Sequence, residues 1–214
     1  ERCWTQKERH IAAGEMEVGL RGAGAGGFVG RLRAEMGSGS ADRRVQVLWL
    51  LETAGALEDA DLVRAMADGE ARVRVHAMRI AAERARLRGT VVVRSVPGRR
   101  WTGELAAAAR RGLGDPEPQV RRCAAEALGV IADPAAVEPL LAAGRSVAAD
   151  DTHLRYMVRQ SLRNQLRDEA VFGWVRAREW AEGDRAQLLD VALAVNTRAS
   201  AAYLLARVEA GGAD

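Results

Sequence analysis

The chain has 214 residues, 48% of them apolar but only 4% aromatic, with 32 basic against 29 acidic side chains and a formal charge of +3. Such a length buries a sizeable core, and the dominance of Ala, Leu and Val suits close-packed helix pairs more than a sheet-based globule. No apolar run approaches the roughly 18 residues of a membrane-crossing helix, and two isolated thiols, Cys3 and Cys123, do not make a disulfide framework.

The first residue is Glu1, so the chain is expected to be processed or a piece of a longer one. Residues 1–40 read as an irregular, Gly-rich segment with one or two short helices. Trp4 and Ile11 are possible anchors of the first, and nine of the 27 residues from Gly14 to Ser40 are Gly, leaving FVGRLRAEM (28–36) as the best helical stretch. Gly22, Gly24 and Gly27 match a GxGxxG spacing. A dinucleotide loop would need a strand on either side, with Val45 to Leu51 as the second, ending in Glu52. The preceding EMEVGLR is a poor buried strand, and the residues after Glu52 fall into a helical pattern, so a linker between helices is the better reading.

From residue 41 the spacing predicts helix pairs. Val45, Leu48 and Trp49 open a first helix, Gly55 marks the turn, and Leu62, Val63 and Met66 face inward from the second. The next pair runs from Ala71 to about Arg84 and from Thr102 to Gly112, with Thr102 as a cap and Leu105, Ala108 and Ala109 packing. Between them an insertion near 86–100 contains the strand-like Thr90 to Arg94, read as an extended loop.

The clearest unit is Asp115 to Ala142. Asp115-Pro116 reads as the helix entry, Val120, Ala124, Ala127, Leu128 and Ile131 share one helical face, Asp133-Pro134 separates the helices, and Gly144 is a candidate terminator. Two later pairs follow, Thr152 to Gln165 with Asp168 to Ala181, and Asp184 to Val195 with Ser200 to Ala210. Val120, Leu154 and Leu188 are 34 residues apart, as are Ala124, Val158 and Ala192, Val137, Val171 and Leu205, and Leu140, Trp174 and Val208. Upstream, aligning Val45 with Val73 and Val73 with Val120 gives steps of 28 and 47 residues. A two-helix unit cannot bury both faces alone, so a fixed pitch calls for stacking. The fold class is all-α, a right-handed α-solenoid of about five helical hairpins over residues 41–214, with second helices lining a concave surface.

The 115–142 stretch resembles a HEAT repeat of the short, phycobilin-lyase-like bacterial kind, an armadillo-like module. VQVLWLLETAGAL, LVRAMAD and VRVHAMRIAAE, with DDTHLRYMVRQSLRNQLRD, resemble the HEAT region of planctomycete and verrucomicrobial membrane-bound dehydrogenase-like proteins over residues 41–170. In that family the region lies between a β-propeller and a cytochrome c domain. No propeller-length β region and no CxxCH motif occurs here, so no oxidoreductase residue carries over. The resemblance implies a non-catalytic spacer or docking module, exported or periplasmic, that contacts a protein partner or the neighbouring domains of a longer chain.

No HExxH, GxSxG, CxxC or P-loop pattern is present. Catalytic, cofactor-binding and metal residues are therefore not assigned, and no cofactor is expected. His76 and Cys123 occupy the same slot of aligned repeats, three residues after the apolar Val; a metal or nucleophile pair would need them together, whereas 47 residues and two helices separate them. His153 sits at a helix start, and Asp115, Asp133, Asp150 and Asp151 gather where helix N-termini attract carboxylates. Charge carries the alternative function. Between Arg72 and Arg122 there are 13 Arg against four acids, and a basic stripe can bind nucleic acid or another polyanion. Arg99, Arg100, Arg110, Arg111, Arg121 and Arg122 are the candidate contacts. Against this, 31 of the 32 basic residues are Arg, a coding bias of GC-rich genomes, Arg stems also cover apolar helix surface, and only Trp101 could stack a base.

Overall fold

The computed structural model describes residues 25–86 and 103–211. Among these the chain forms eleven α-helices and one 3₁₀ turn, with no strand. Helix α1 (Ala25–Ser38) precedes five pairs: α2 (Ala41–Thr53) with α3 (Asp59–Ala65), α4 (Ala71–Arg86) with α5 (Gly103–Gly112), α6 (Pro118–Leu128) with α7 (Val137–Ser146, entered through the 3₁₀ turn Pro134–Ala136), α8 (Thr152–Leu166) with α9 (Glu169–Arg176), and α10 (Glu182–Ala192) with α11 (Arg198–Gly211). The first helices α2, α4, α6, α8 and α10 pack side by side as one layer, each on the next. The architecture is an all-α, HEAT-like solenoid.

The interior is one continuous cluster from Val45 to Tyr203. Val120, Leu154 and Leu188 are buried, and so are Ala124, Val158 and Ala192, as a stacked array requires of its repeating positions. Small side chains let the α4, α5 and α6 axes approach: Ala77, Ala81, Ala109, Ala124 and Ala127 are all fully buried. At the far end Phe172 of α9 meets Tyr203 of α11 edge to face, ring centroids 5.6 Å apart. In the last pair the 34-residue columns open: Leu205 and Val208 are 61% and 72% exposed, whereas Val137 and Leu140 are fully buried.

Several local expectations are corrected. α6 does not start at Asp115-Pro116; Glu117 is its N-cap residue and Pro118 occupies the first turn. The Asp115 carboxylate is instead engaged by Arg74 and by the Glu117 N–H (2.9 Å). α6 ends at Leu128, so Ile131 belongs to the connection, where its carbonyl accepts from Gln165 Nε2 at 2.7 Å. Gly144 does not terminate α7, which continues to Ser146 with Gly144 against Gln187. α10 begins at Glu182, two residues before Asp184. Val45 to Leu51 is helical, which removes the second strand that a dinucleotide fold would need, and Ala25 to Gly27 already belong to α1; the preceding Gly22 and Gly24 lie outside the described residues. The insertion's Thr90 to Arg94, the capping Thr102 and the anchors Trp4 and Ile11 also lie outside them.

Register in the first two units is corrected as well. Aligning Val45 with Val73 would put Leu48 and Leu51, both buried, opposite half-exposed His76 and Arg79. A step of 30 puts Val45, Val47, Leu48 and Leu51 on Val75, Ala77, Met78 and Ala81, and all eight are buried. The hydrogen bonds agree: Arg44 donates to the carbonyl of Gly39, Arg74 to that of Gly69, and Arg121 to that of Pro116. The shortening lies in the five-residue connection Ala54 to Glu58, where Gly55 adopts φ 74°, a left-handed conformation that glycine takes without steric cost. Pairing across the units is also different from a set of separate hairpins. In the second and third units the second helix packs most closely on the first helix of the following unit, α5 on α6 and α7 on α8, while α3 packs equally on α4 and α5.

Successive units are tied together at the entry to each first helix. Arg44 donates to both carboxylate oxygens of Asp68 (2.8 and 3.0 Å), and Arg74 does the same to Asp115 (2.7 and 2.8 Å) while also donating to the carbonyl of Asp68 (2.8 Å). Burial works to raise the Asp115 pKa. The Arg74 hydrogen bond, the Glu117 N–H and the charge of Arg74 outweigh it and hold the pKa below the ordinary carboxylate value. Both side chains are close to nine-tenths buried. Asp115→Ala strands a buried guanidinium and is expected to cost about 3 kcal/mol in thermal or urea unfolding, with Arg74→Met in the same chain restoring most of the loss.

Candidate interaction surface

The second helices build an open groove of roughly 660 Å³. Arg110 and Arg111 on the last turn of α5 form one wall, Pro134 and Pro139 flank the start of α7, and Trp174 and Arg178 close the other side at the end of α9. The elements explain the placement. Asp133 caps the 3₁₀ turn by accepting from the Ala135 N–H (3.0 Å), which pins Pro134 at its start. Asp168 caps α9 by accepting from Ala170 and Val171 (3.0 Å each), which directs Val171, Phe172 and Val175 into the core and leaves Trp174 half-buried beside the groove. Trp174 meets Trp180 edge to face at 5.8 Å, and Trp180 is held by its indole N–H donating to the Val175 carbonyl at 2.9 Å. The Arg178 guanidinium lies 4.1 Å over the Trp174 ring.

Three of the six arginines proposed for polyanion binding are engaged within the fold. Arg110 donates to Asp133 at 2.8 Å, Arg121 donates to the carbonyls of Asp115 and Pro116 at 2.7 and 3.0 Å, and Arg122 donates to Asp151 at 2.9 Å. Arg111 is exposed on α5 with no carboxylate partner among the described residues. Arg99 and Arg100 lie outside them. Arg178 was missed by sequence reasoning because Trp174 was assigned to the core column of Leu140. The signal was present as a Trp in the last turn of a second helix with an Arg four residues on, just beyond the helix end.

The other candidates resolve into structure. Trp49 Nε1 donates to His76 Nδ1 at 3.0 Å, so the ring accepts there and its proton sits on Nε2. Burial, then the neighbouring Arg79 and Arg72, lower the His76 pKa. Cys123 is buried, and burial raises its thiol pKa against the partial offset of the neighbouring Arg79. Their helices, α4 and α6, are direct neighbours although the sequence places α5 between them. His76 is taken up by Trp49, and no group of three or more His, Cys, Asp or Glu able to hold a metal occurs among the described residues. His153 is exposed on α8, while the cap of that helix is Asp151, which accepts from the Leu154 N–H at 2.9 Å. It lines a polar groove of roughly 740 Å³ between α6 and α8, whose rim carries the Arg86–Glu126 ion pair.

The HEAT-repeat family model matches residues 108–134. The match starts in the last turns of α5, covers α6 and ends at the entry to α7, so the chain carries a HEAT repeat at the middle of its solenoid. No curated protein matches the chain. No described helix is long and apolar enough to cross a membrane.

The half-buried His76 ring contributes stability in its neutral form. With the folded pKa below the ordinary 6.5, that contribution is complete above the unfolded value and is lost as pH falls through the folded one. The melting midpoint is expected to drop as pH falls below the ordinary His value of 6.5, and His76→Gln, which keeps an acceptor for Trp49, is expected to flatten that part of the profile.

Proposed function

We propose that this chain is a non-catalytic HEAT-repeat scaffold that holds a protein partner or a neighbouring domain in the groove across α5, α7 and α9. The observation that carries this reading is the Trp174–Arg178 stack. It is an aromatic and a guanidinium, partly exposed, held by Trp180, in a groove that crosses three successive second helices. Trp and Arg dominate the energetics of protein interfaces, since each offers large contact area with a polar edge. The side chains with chemical potential elsewhere are occupied: His76 by Trp49, and Arg84, within the core, by Glu52, Asp59 and the Leu57 carbonyl. Nucleic acid is the weaker reading because Arg110, Arg121 and Arg122 are tied up within the fold, and phosphate contacts need free cations.

A photo-reactive residue placed at Arg178 is expected to crosslink one discrete species in the source cells, with no such product from the same residue placed at Tyr156 on α8. Equal crosslinking from both positions would remove the groove from the reading.

The scaffold is further proposed to be a module of a larger exported dehydrogenase-like protein bearing a cytochrome c domain. Its support is the resemblance of residues 41–170 to the HEAT region of such proteins. An immunoblot of fractionated cells with a parallel covalent-haem stain is expected to show a haem-positive species several times larger than 23.0 kDa. A haem-negative band near that mass would leave a free-standing adaptor.

A further inference from the structure

We infer that the groove across α5, α7 and α9 takes an acidic peptide segment. A carboxylate sits between Arg111 and Arg178, and a neighbouring apolar side chain packs on the Trp174 indole and Pro139. The inference rests on the scaffold reading and names the chemistry of the partner.

The three arginines of the groove differ in what they have left to give. Arg110 donates to Asp133 at 2.8 Å and is neutralised by it. Arg111 and Arg178 are exposed, and neither has a carboxylate partner among the described residues. The stack on Trp174, at 4.1 Å, covers one face of the Arg178 guanidinium and leaves its in-plane N–H edges open. A planar fork resting on a ring in that way can meet a carboxylate bidentately, and the ring contact favours the rotamer that presents it. The aromatic floor is fixed in turn by Trp180. Beside the cations, Trp174, Pro139 and Ala107 supply apolar surface in the same groove, so one ligand segment can satisfy both characters.

Glu138 sets the limit on the partner. It is exposed at the groove and has no basic partner among the described residues. A uniformly anionic chain would be repelled there, whereas a peptide with one or two acids beside an apolar residue avoids it. Two free guanidinium groups facing one free carboxylate suit a peptide contact and give a phosphate backbone little to hold.

A display library of random 12-residue peptides selected on the intact chain tests this, with recovered peptides measured by fluorescence anisotropy. The selected peptides are expected to be enriched in Asp or Glu next to an apolar residue. Each of Arg111→Ala and Arg178→Ala is expected to weaken binding about tenfold, as the loss of one charge-assisted hydrogen bond does, and Arg178→Glu more. Binding is expected to weaken as ionic strength rises. Peptides that lose affinity for Trp174→Ala yet carry no acidic excess and bind Arg178→Ala unchanged would overturn the acidic partner while leaving the groove as a docking site. Peptides that bind Trp174→Ala as tightly as the native chain, or no recovered peptide at all, would overturn the groove reading itself. Unchanged helical circular dichroism and melting of the Arg178→Ala chain separate loss of contact from loss of fold.

Discussion

The stacking of the first four units depends on an arginine near the start of α2, α4 and α6 that reaches the aspartate at the entry to the next first helix. Asp68 receives Arg44 and at the same time accepts from the Glu70 N–H; Asp115 receives Arg74 and accepts from the Glu117 N–H; Asp151 receives Arg122 and accepts from the Leu154 N–H. Asp68 and Asp115 therefore order the approach to their helices and Asp151 the first turn of its own, and each ties that entry to the preceding unit. Arg74 extends the tie to the Asp68 and Gly69 carbonyls, and Arg121 to those of Asp115 and Pro116. Apolar packing is tolerant of sliding. A bidentate guanidinium–carboxylate pair is not, so these contacts set register while burial of Ala, Val and Leu supplies the bulk of the stability.

A second set of polar contacts closes the other ends of the first helices. The carbonyls at the end of α6 run short of helical donors, and α8 supplements them: Ser161 Oγ donates to the Ala125 carbonyl (2.7 Å), which also accepts from the Gly129 N–H, Gln165 Nε2 to those of Leu128 and Ile131 (2.5 and 2.7 Å), and Asn164 Nδ2 to that of Gly129 (3.1 Å). Gln165 also accepts from the Asp133 N–H at 2.8 Å and so fixes the turn that carries Pro134. The close approach explains why position 129 is glycine, since a Cβ there would lie 2.9 Å from the Ser161 backbone. The same turn contributes Asp133 to Arg110. The path from the buried Gln165 to the groove is thus one continuous set of hydrogen bonds, and the presented surface inherits its rigidity from the core.

This organisation decides which charges are available for function. An Arg-rich segment in a solenoid faces competition from loop aspartates and from helix-end carbonyls, both of which the stacking brings close. Arg74, Arg84, Arg121 and Arg122 are taken up in that way. What remains on the second-helix side is a sparse pattern, Arg111 and Arg178 around Trp174, with Glu138 opposite. Sparse charge beside an aromatic favours recognition of a defined peptide over a delocalised electrostatic contact.

Local chemistry decided a good deal before any contact formed. The 34-residue columns, the break at Asp133-Pro134, the Asp168 cap and the turn at Gly55 are written in residue type and spacing, because helical periodicity and turn geometry are properties of short segments; five pairs and the buried faces of Val120, Leu128, Leu154 and Leu162 follow from them. Partnership was not legible. Whether Asp115 caps its own helix or pairs with Arg74, 41 residues away, depends on how two units stack, and whether Trp174 is core or groove depends on what lies beyond it in space. The two-residue error in aligning α2 with α4 has the same origin, since apolar side chains recur at several offsets and only burial in the stacked units and the Arg44 and Arg74 contacts distinguish them. Segment identity is encoded locally, while the charge left free to bind a partner is what remains after the folded units have used the rest, and that remainder exists only in the tertiary structure.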